Sequence, residues 1–299
     1  MLSVPPPTLD HAPTVATVRA GDELHGVFAC TRKDRLTSRA GSPYLALELR
    51  DRSGAIPARV FRDADLQAGR FERGDLVRVR GRVERFRDEL QVELSAIARV
   101  APEDADPASF LPVALRDLDE LDGFLDHLMG EVRHAGFAAL LHRLVGAEAM
   151  RAALRGTPCT RSGHHAYLGG LLEHTVAVGT LAVEACALHP RLDQDLLLTA
   201  ALVHDLGRTR EFTLGAEIGL TDEGRLLGHV ELSLRLLGQA AAASGLDDAR
   251  HLAVAHCVLT HHGPDAAPGR RFGSAEAVAL HRLNALDAGV KAALTPGLG

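Results

Sequence analysis

Between residues 22 and 100, apolar and polar positions alternate with the two-residue period of half-buried strands. This spacing predicts strands over 24–31, 44–50 and 55–61, with the turn Asp51-Arg52-Ser53-Gly54 between the second and third. A short helical stretch follows over 63–68. Gly74-Asp75 then opens a fourth strand over 76–84, where Leu76, Arg78, Arg80 and Arg82 alternate with Val77, Val79 and Val83, interrupted at Gly81. Residues 87–89 turn the chain into a last strand over 90–100, with Val92, Leu94 and Ala96 on one face. Five strands with a helical insert after the third is the order of an OB-fold, a small Greek-key barrel.

The period then changes. From 115 to 294 apolar residues recur at three and four, the helical spacing, with breaks near 156–158, 215–219 and 263–269. The expected fold class is multidomain α and β: an OB-fold β-barrel followed by an all-α helical bundle. The expected division is a flexible tail over 1–20, a barrel domain over 21–100, an acidic, proline-containing linker over 101–114 and a helical domain over 115–299.

Composition adds three constraints. The 299 residues are 46% hydrophobic and 24% charged, the balance of a globular protein, and with 4% aromatics and no Trp the cores must be aliphatic. No apolar run stands out as approaching the roughly 20 residues of a membrane span, and the N-terminus lacks the basic and apolar regions of a signal peptide. A cytoplasmic protein with no membrane partner is expected. Cys30, Cys159, Cys186 and Cys257 form no CxxC pair, which argues against a disulfide framework or a cysteine-based zinc site.

The chemistry lies in the helical half. His174 is flanked at helical spacing by Leu171, Ala177, Val178 and Leu181; His204 follows Leu197, Ala200 and Ala201; His229 has Leu226, Leu232 and Leu236 as its stripe. His261 sits above Val254 and Val258, and Asp287 lies between Leu283 and Val290. Each polar group therefore falls on or beside a stripe that should face a core, where a carboxylate is costly without a partner. One inward histidine is more often a hydrogen-bonded core residue than a ligand. Five such positions, with the adjacent pairs His204-Asp205 and His261-His262, point to a shared metal centre assembled from several helices.

His174, then His204-Asp205 in LVHDLGR, then Asp287 in LNALDAG, resemble the H…HD…D signature of the HD phosphohydrolases. The strings HHAYLGGLLEHT (164–175), TDEGRLLGHVELS (221–233) and LTHHG (259–263) further resemble those of the YhaM-type 3′–5′ exoribonucleases, a family that also carries an N-terminal OB-fold. The resemblance runs from about 22 to 293 in the same domain order. It implies a first metal held by His174, His204, Asp205 and Asp287, and a second held by His229, His261 and His262, with Asp205 as the bridge. A two-metal centre of this kind clamps both oxygens of an in-line displacement at phosphorus. The implied cofactor is a divalent transition metal, Mn²⁺ for preference, with Co, Fe, Ni or Zn also compatible, and two ions are preferred to one.

Arg208 stands where the resembling family commonly has Lys. Arginine keeps the charge and can grip a phosphate but cannot act as a proton donor, so a clamp role beside Asp205 survives the departure. The alternative is a solvated cation at a helix end. His164, His165 and Tyr167 belong to the signature string ahead of His174, which implies a place near the scissile phosphate or terminal ribose, with the Tyr167 ring stacking on the last base; the alternative is a helix-start cap with a packed Tyr.

Residues 21–100 carry 16 Arg and Lys against 13 Asp and Glu, a net of +3, while the remainder carries 17 against 26, a net of −9. A basic barrel with aromatics suits single-stranded nucleic acid, and the candidate contacts are Phe28, Tyr44 and Phe61 with Arg59, Arg78, Arg80 and Arg82. The expected activity is 3′–5′ exonucleolytic hydrolysis of single-stranded RNA to nucleoside 5′-monophosphates. Single-stranded DNA as an additional substrate, and a homo-oligomer, are left open. A competing reading is a phosphohydrolase of nucleotides or cyclic dinucleotides with a regulatory barrel. A non-catalytic nucleic-acid-binding protein is disfavoured, because every expected ligand position holds a ligand-competent residue.

Overall fold

The structure, a computed structural model, describes residues 14–294. The chain divides into two compact units, Met1–Leu111 with Leu214–Ile218, and Pro112–Thr213 with Gly219–Gly299. The expected tail falls mostly on residues outside those described, but 14–20 are not loose. Val18 is buried, Val15 packs on the barrel core, and the Val15 amide donates to Asp51 Oδ2 at 2.8 Å.

The first unit is a closed barrel of β1 (Glu23–Thr37), β2 (Pro43–Asp51), β3 (Gly54–Val60), β4 (Leu76–Phe86) and β5 (Glu89–Val100), in the order β1-β2-β3-β5-β4, with α1 (Ala64–Ala68) between β3 and β4. β3 and β5 pair in parallel and the other neighbours antiparallel. Alternation works as anticipated on β4: Val77, Val79 and Val83 are buried, while Arg78, Arg80 and Arg82 point to solvent. The segment expected as an unpatterned linker contains two single-turn 3₁₀ helices, Pro102–Asp104 and Pro107–Ser109, and Phe110 and Leu111 after them are buried. The apolar pair at 110–111 is what turns an acidic connector into an anchored one.

The second unit is helical: α2 (Leu118–Gly130), α3 (Ala135–Leu144), α4 (Glu148–Gly156), α5 (Gly170–Leu188), α6 (Gln194–Val203), α7 (Arg208–Glu211), α8 (Asp222–Ser244), α9 (Asp248–Thr260) and α10 (Ala275–Leu294). Two short strands, β6 (Phe212–Leu214) and β7 (Ile218–Leu220), pair between α7 and α8. Four of these helices start on an aspartate whose side chain caps backbone amides or on a threonine that does the same: Asp117, Asp193, Thr221 and Asp247. The core is aliphatic, built on leucines of α2, α3, α5 and α6 such as Leu121, Leu140, Leu171 and Leu197.

α5 corrects the expectation about apolar runs: its 19 residues are long and apolar enough to cross a membrane by length and composition. It is apolar because it runs through the helical core, with most of its first half buried, including Glu173 and His174.

Candidate metal centre

Five elements deliver the polar residues. His174 lies in the first turns of α5, and His204 and Asp205 follow directly on α6. His229 is in α8, His261 and His262 follow α9, and Asp287 is in α10. Gly207 explains how α8 comes so near the His204-Asp205 turn. A Cβ there would lie 2.1 Å from the His229 carbonyl oxygen, so only glycine admits this approach.

The Asp205 carboxylate, 3% exposed, sits in the middle of the cluster. On one side its Oδ2 faces His204 Nε2 at 3.8 Å, His174 Nε2 at 3.9 Å and Cys159 Sγ at 3.7 Å. On the other its Oδ1 faces His229 Nε2 and His261 Nε2, each at 3.4 Å, and His262 Nε2 lies 2.9 Å from His229 Nε2. His174 and His204, expected at a first metal, thus lie on one side of this carboxylate and His229 and His261, expected at a second, on the other, while Asp287, expected at the first, does not face it. Asp287 joins through the far side of an imidazole: its Oδ2 is 2.6 Å from His174 Nδ1 and 2.9 Å from His165 Nε2.

Hydrogen bonding sets the tautomers. His174 Nδ1 faces the Asp287 carboxylate, His204 Nδ1 the Ala201 carbonyl at 2.8 Å, and His261 Nδ1 the Val258 carbonyl at 2.6 Å. All three partners accept, so each Nδ1 carries the proton and each Nε2 turns a lone pair inward. The His174 and His204 Nε2 atoms are 3.3 Å apart. Asp205 Oδ1 and His261 Nε2 are buried without a hydrogen-bond partner among the described residues. Lone pairs converging on a buried carboxylate, with the opposite ring nitrogens held by carbonyl or carboxylate acceptors, is the arrangement a divalent cation requires. The donor set fits the metal.

Charge states agree. Burial alone would raise Asp205, but Arg208 and His204 hold it well below the usual carboxylate range. Burial pushes His204 well below the ordinary imidazole value, so it is neutral. Asp287 is also depressed: its burial is outweighed by hydrogen bonds from His165 and His174.

Several residues depart from the sequence-based picture. Arg208 is neither a solvated cation nor free to clamp a phosphate. It is buried, its Nε donates to Asp205 Oδ2 at 2.8 Å and its Nη1 to Glu211 Oε2 at 3.1 Å. Tyr167 is no stacking platform. Its ring is buried, its hydroxyl donates to Glu173 Oε2 at 2.7 Å, and it lies 2.8 Å from His165 Nδ1. Lys291 closes this chain at Glu173 Oε1, 2.7 Å away. Glu173, Glu211, Lys291 and Cys159 were not anticipated. The available signal for Glu173 was a carboxylate beside His174 in an otherwise apolar stretch.

On the barrel, Phe28 is a core residue, 3% exposed, because its register on β1 points it inward opposite Val77. Tyr44 and Phe61 do come together, with ring centroids 5.6 Å apart and Phe61 exposed, and Arg59 lies opposite Ala46 in the same β2–β3 pairing. Arg78, Arg80 and Arg82 are exposed on β4, but Arg80 pairs with Glu23 at 3.2 Å. Arg59, Glu93, Arg82 and Glu23 stand side by side in register, so the row alternates in sign.

The comparisons with known proteins agree with this architecture. Residues 171–289 match the HD domain family and residues 29–99 the OB-fold nucleic acid binding domain. The chain is 26% identical over 276 residues to the 3′-5′ exoribonuclease YhaM of Halalkalibacterium halodurans, covering 90% of this chain and 84% of that one. It is 29% identical over 255 residues to YhaM of Bacillus subtilis, covering 83% and 79%, and 29% identical over 276 residues to YhaM of Bacillus velezensis, covering 90% and 85%. Fold and centre define an HD-domain protein with an OB-fold module ahead of it. Within that class the chain is similar over 83–90% of its length to the 3′-5′ exoribonuclease YhaM of these three organisms.

Proposed function

We propose that the protein is a metal-dependent 3′–5′ exoribonuclease that removes nucleoside 5′-monophosphates from single-stranded RNA. The observation that carries this reading is the Asp205 carboxylate with tautomer-fixed imidazoles on both sides and two unpartnered buried atoms at its centre. Two ions, Mn²⁺ for preference, suit that two-sided layout. Bound there, they supply Lewis acidity to the phosphodiester and lower the pKa of an attacking water. Asp205, His174 and His204 would hold one ion, with Asp287 orienting His174 from its Nδ1 side, and Asp205, His229, His261 and His262 would hold the other. Asp287 and the Tyr167–Glu173 pair engage both ring nitrogens of the buried His165, which makes it a positioning residue behind His174 rather than a proton donor. Tyr44, Phe61 and Arg59 are the strand contacts best supported on the barrel.

The test uses the purified protein with Mn²⁺ and a 5′-labelled RNA of about 20 nucleotides, beside its 3′-blocked copy. A ladder shortening from the 3′ end, absent with the blocked RNA and with Asp205→Ala, supports the proposal; intact RNA sinks it. The sign-alternating row across β3, β5, β4 and β1 favours a second reading. In it the barrel regulates an HD phosphodiesterase acting on nucleotides or cyclic dinucleotides, and these would be hydrolysed while RNA survives. DNA cleavage is scored in the same assay with a deoxy strand.

A further inference from the structure

A cleft of about 510 Å³ opens between α2, α5 and α10, lined by Phe124, Ala177, Leu286, Val290 and Arg116 among others, and Asp287 forms part of its wall. Asp287 is also the hydrogen-bond partner of His174 and His165, so the cleft and the candidate metal centre share a wall. Ala177 continues the face of α5 that carries His174, one turn further on. The size is in the range that takes one small organic ligand, roughly 300–1,000 Å³.

The lining is apolar and aromatic rather than catalytic. Phe124, Leu286 and Val290 are 42%, 51% and 51% exposed, an unusual concentration of accessible apolar surface beside a polar centre. At the rim the Arg116 guanidinium lies 5.6 Å from the centroid of the Phe124 ring. A planar cation beside an aromatic face suits a flat, uncharged heterocycle attached to an anionic group: the base stacks, and the cation complements the phosphate.

We propose that this cleft receives the base of the nucleotide being removed, with Phe124 as its stacking surface and Arg116 complementing the adjoining phosphate. The assignment rests on the exonuclease reading of the neighbouring centre. It gives the enzyme a handle on the terminal nucleotide that is independent of the barrel and tolerant of base identity, because every base has a π-face.

The experiment compares the Mn²⁺-loaded full chain on an RNA with an ordinary 3′ nucleotide and on the same RNA ending in an abasic ribose. The wild type should remove the base-bearing end about tenfold faster in kcat/KM, the scale of one base–aromatic stack. Phe124→Ala should lose that preference, mainly through KM, while leaving the abasic end unaffected. Thr180→Trp, which fills the cleft from an exposed position, should do the same. Equal rates on the two ends in the wild type, or equal losses on both in the variants, overturn the proposal. If no RNA is degraded, the exonuclease reading fails and calorimetry decides the cleft separately. Adenosine 5′-monophosphate binding tighter than ribose 5-phosphate, with the difference abolished by Phe124→Ala, retains a base site; equal binding overturns it. A Val290→Glu change that turns a dimer into a monomer without altering base preference would assign the surface to a second copy and also overturn it.

Discussion

Arg208 Nε donates to Asp205 Oδ2 at 2.8 Å in the interior of the helical unit, pairing the central carboxylate of the cluster with an internal cation. Burial opposes the charge on Arg208, but Asp205 more than offsets this and holds its pKa above the ordinary value. Removing one member of a buried pair leaves the other uncompensated, at a cost of about 3–5 kcal/mol. Arg208→Ala should therefore lower the melting temperature of metal-free protein, and Mn²⁺ should restore most of the loss by placing positive charge back on Asp205. Thermal denaturation with and without Mn²⁺ checks this. An equal loss in both conditions would mean that Arg208 stabilises through packing alone.

Tyr167→Phe keeps the ring and deletes the hydroxyl that joins His165 Nδ1 to Glu173. Glu211→Gln weakens the groups around Arg208 and His229 in the same way, since Glu211 Oε1 lies 3.4 Å from His229 Nδ1. Partners of this kind typically change activity or metal affinity by about 10–100-fold. The expectation is a fall of that size in kcat for Tyr167→Phe and in metal affinity for Glu211→Gln, followed by steady-state kinetics and metal titration. Unchanged values in both would reduce these residues to packing.

Two aromatics of the barrel should behave in opposite ways. Phe61→Ala removes an exposed member of the Tyr44–Phe61 pair and should weaken single-stranded RNA binding by about 1–3 kcal/mol with little change in stability. Phe28→Ala opens the barrel core and should cost about 3–5 kcal/mol of stability. Fluorescence anisotropy in an Asp205→Ala background, paired with urea unfolding, separates the two. Loss of RNA binding in neither platform variant, Phe61→Ala or Tyr44→Ala, would remove the platform from the RNA path.

Stability should fall on acidification. Burial lowers His204, burial and His261 lower His262 to about 3, and burial and His174 lower His164 to about 4, all from an ordinary 6.5. Below 6.5 the unfolded chain takes up protons that the folded chain refuses, so stability is full above that value and is lost as pH drops toward 3. Asp205 and Asp287, depressed from 3.8, add to the loss at the acid end of the window. Melting curves of metal-free protein from pH 8 to 3.5 should trace this. A melting temperature that rises between pH 7 and 5 would contradict it.

Much of the architecture was legible because it depends on short-range periodicity. The Arg–Val alternation over 76–84 reads directly as a strand with one wet face, and His204-Asp205 follows an apolar helix with no break. The site residues were legible as types and positions, but their connections were not. Glu173 meets Lys291 across 118 residues of sequence, and Asp287 meets His165 across 122, distances that no local pattern spans. Which aromatics face out was likewise hidden, since the barrel's register, not composition, buries Phe28 and exposes Phe61. The stripe drawn through His229 failed on one side: Leu232 is buried, yet Leu226 is 72% exposed.

That failure has a local cause. Gly228 interrupts α8 with φ 71° and ψ 164°, a conformation essentially reserved for glycine. The turns before and after it therefore keep separate angular phase. A residue gained or lost between 222 and 227 would rotate the leading turns without rotating His229, whose direction is inherited from the longer segment behind it. The histidine is insulated from changes in the strand-to-helix connection that precedes it. The insulation is one of angle only: Gly224 packs against the Glu211 backbone, where a Cβ would lie 2.2 Å from the carbonyl oxygen, so glycine has to stay at 224 as well as at 228.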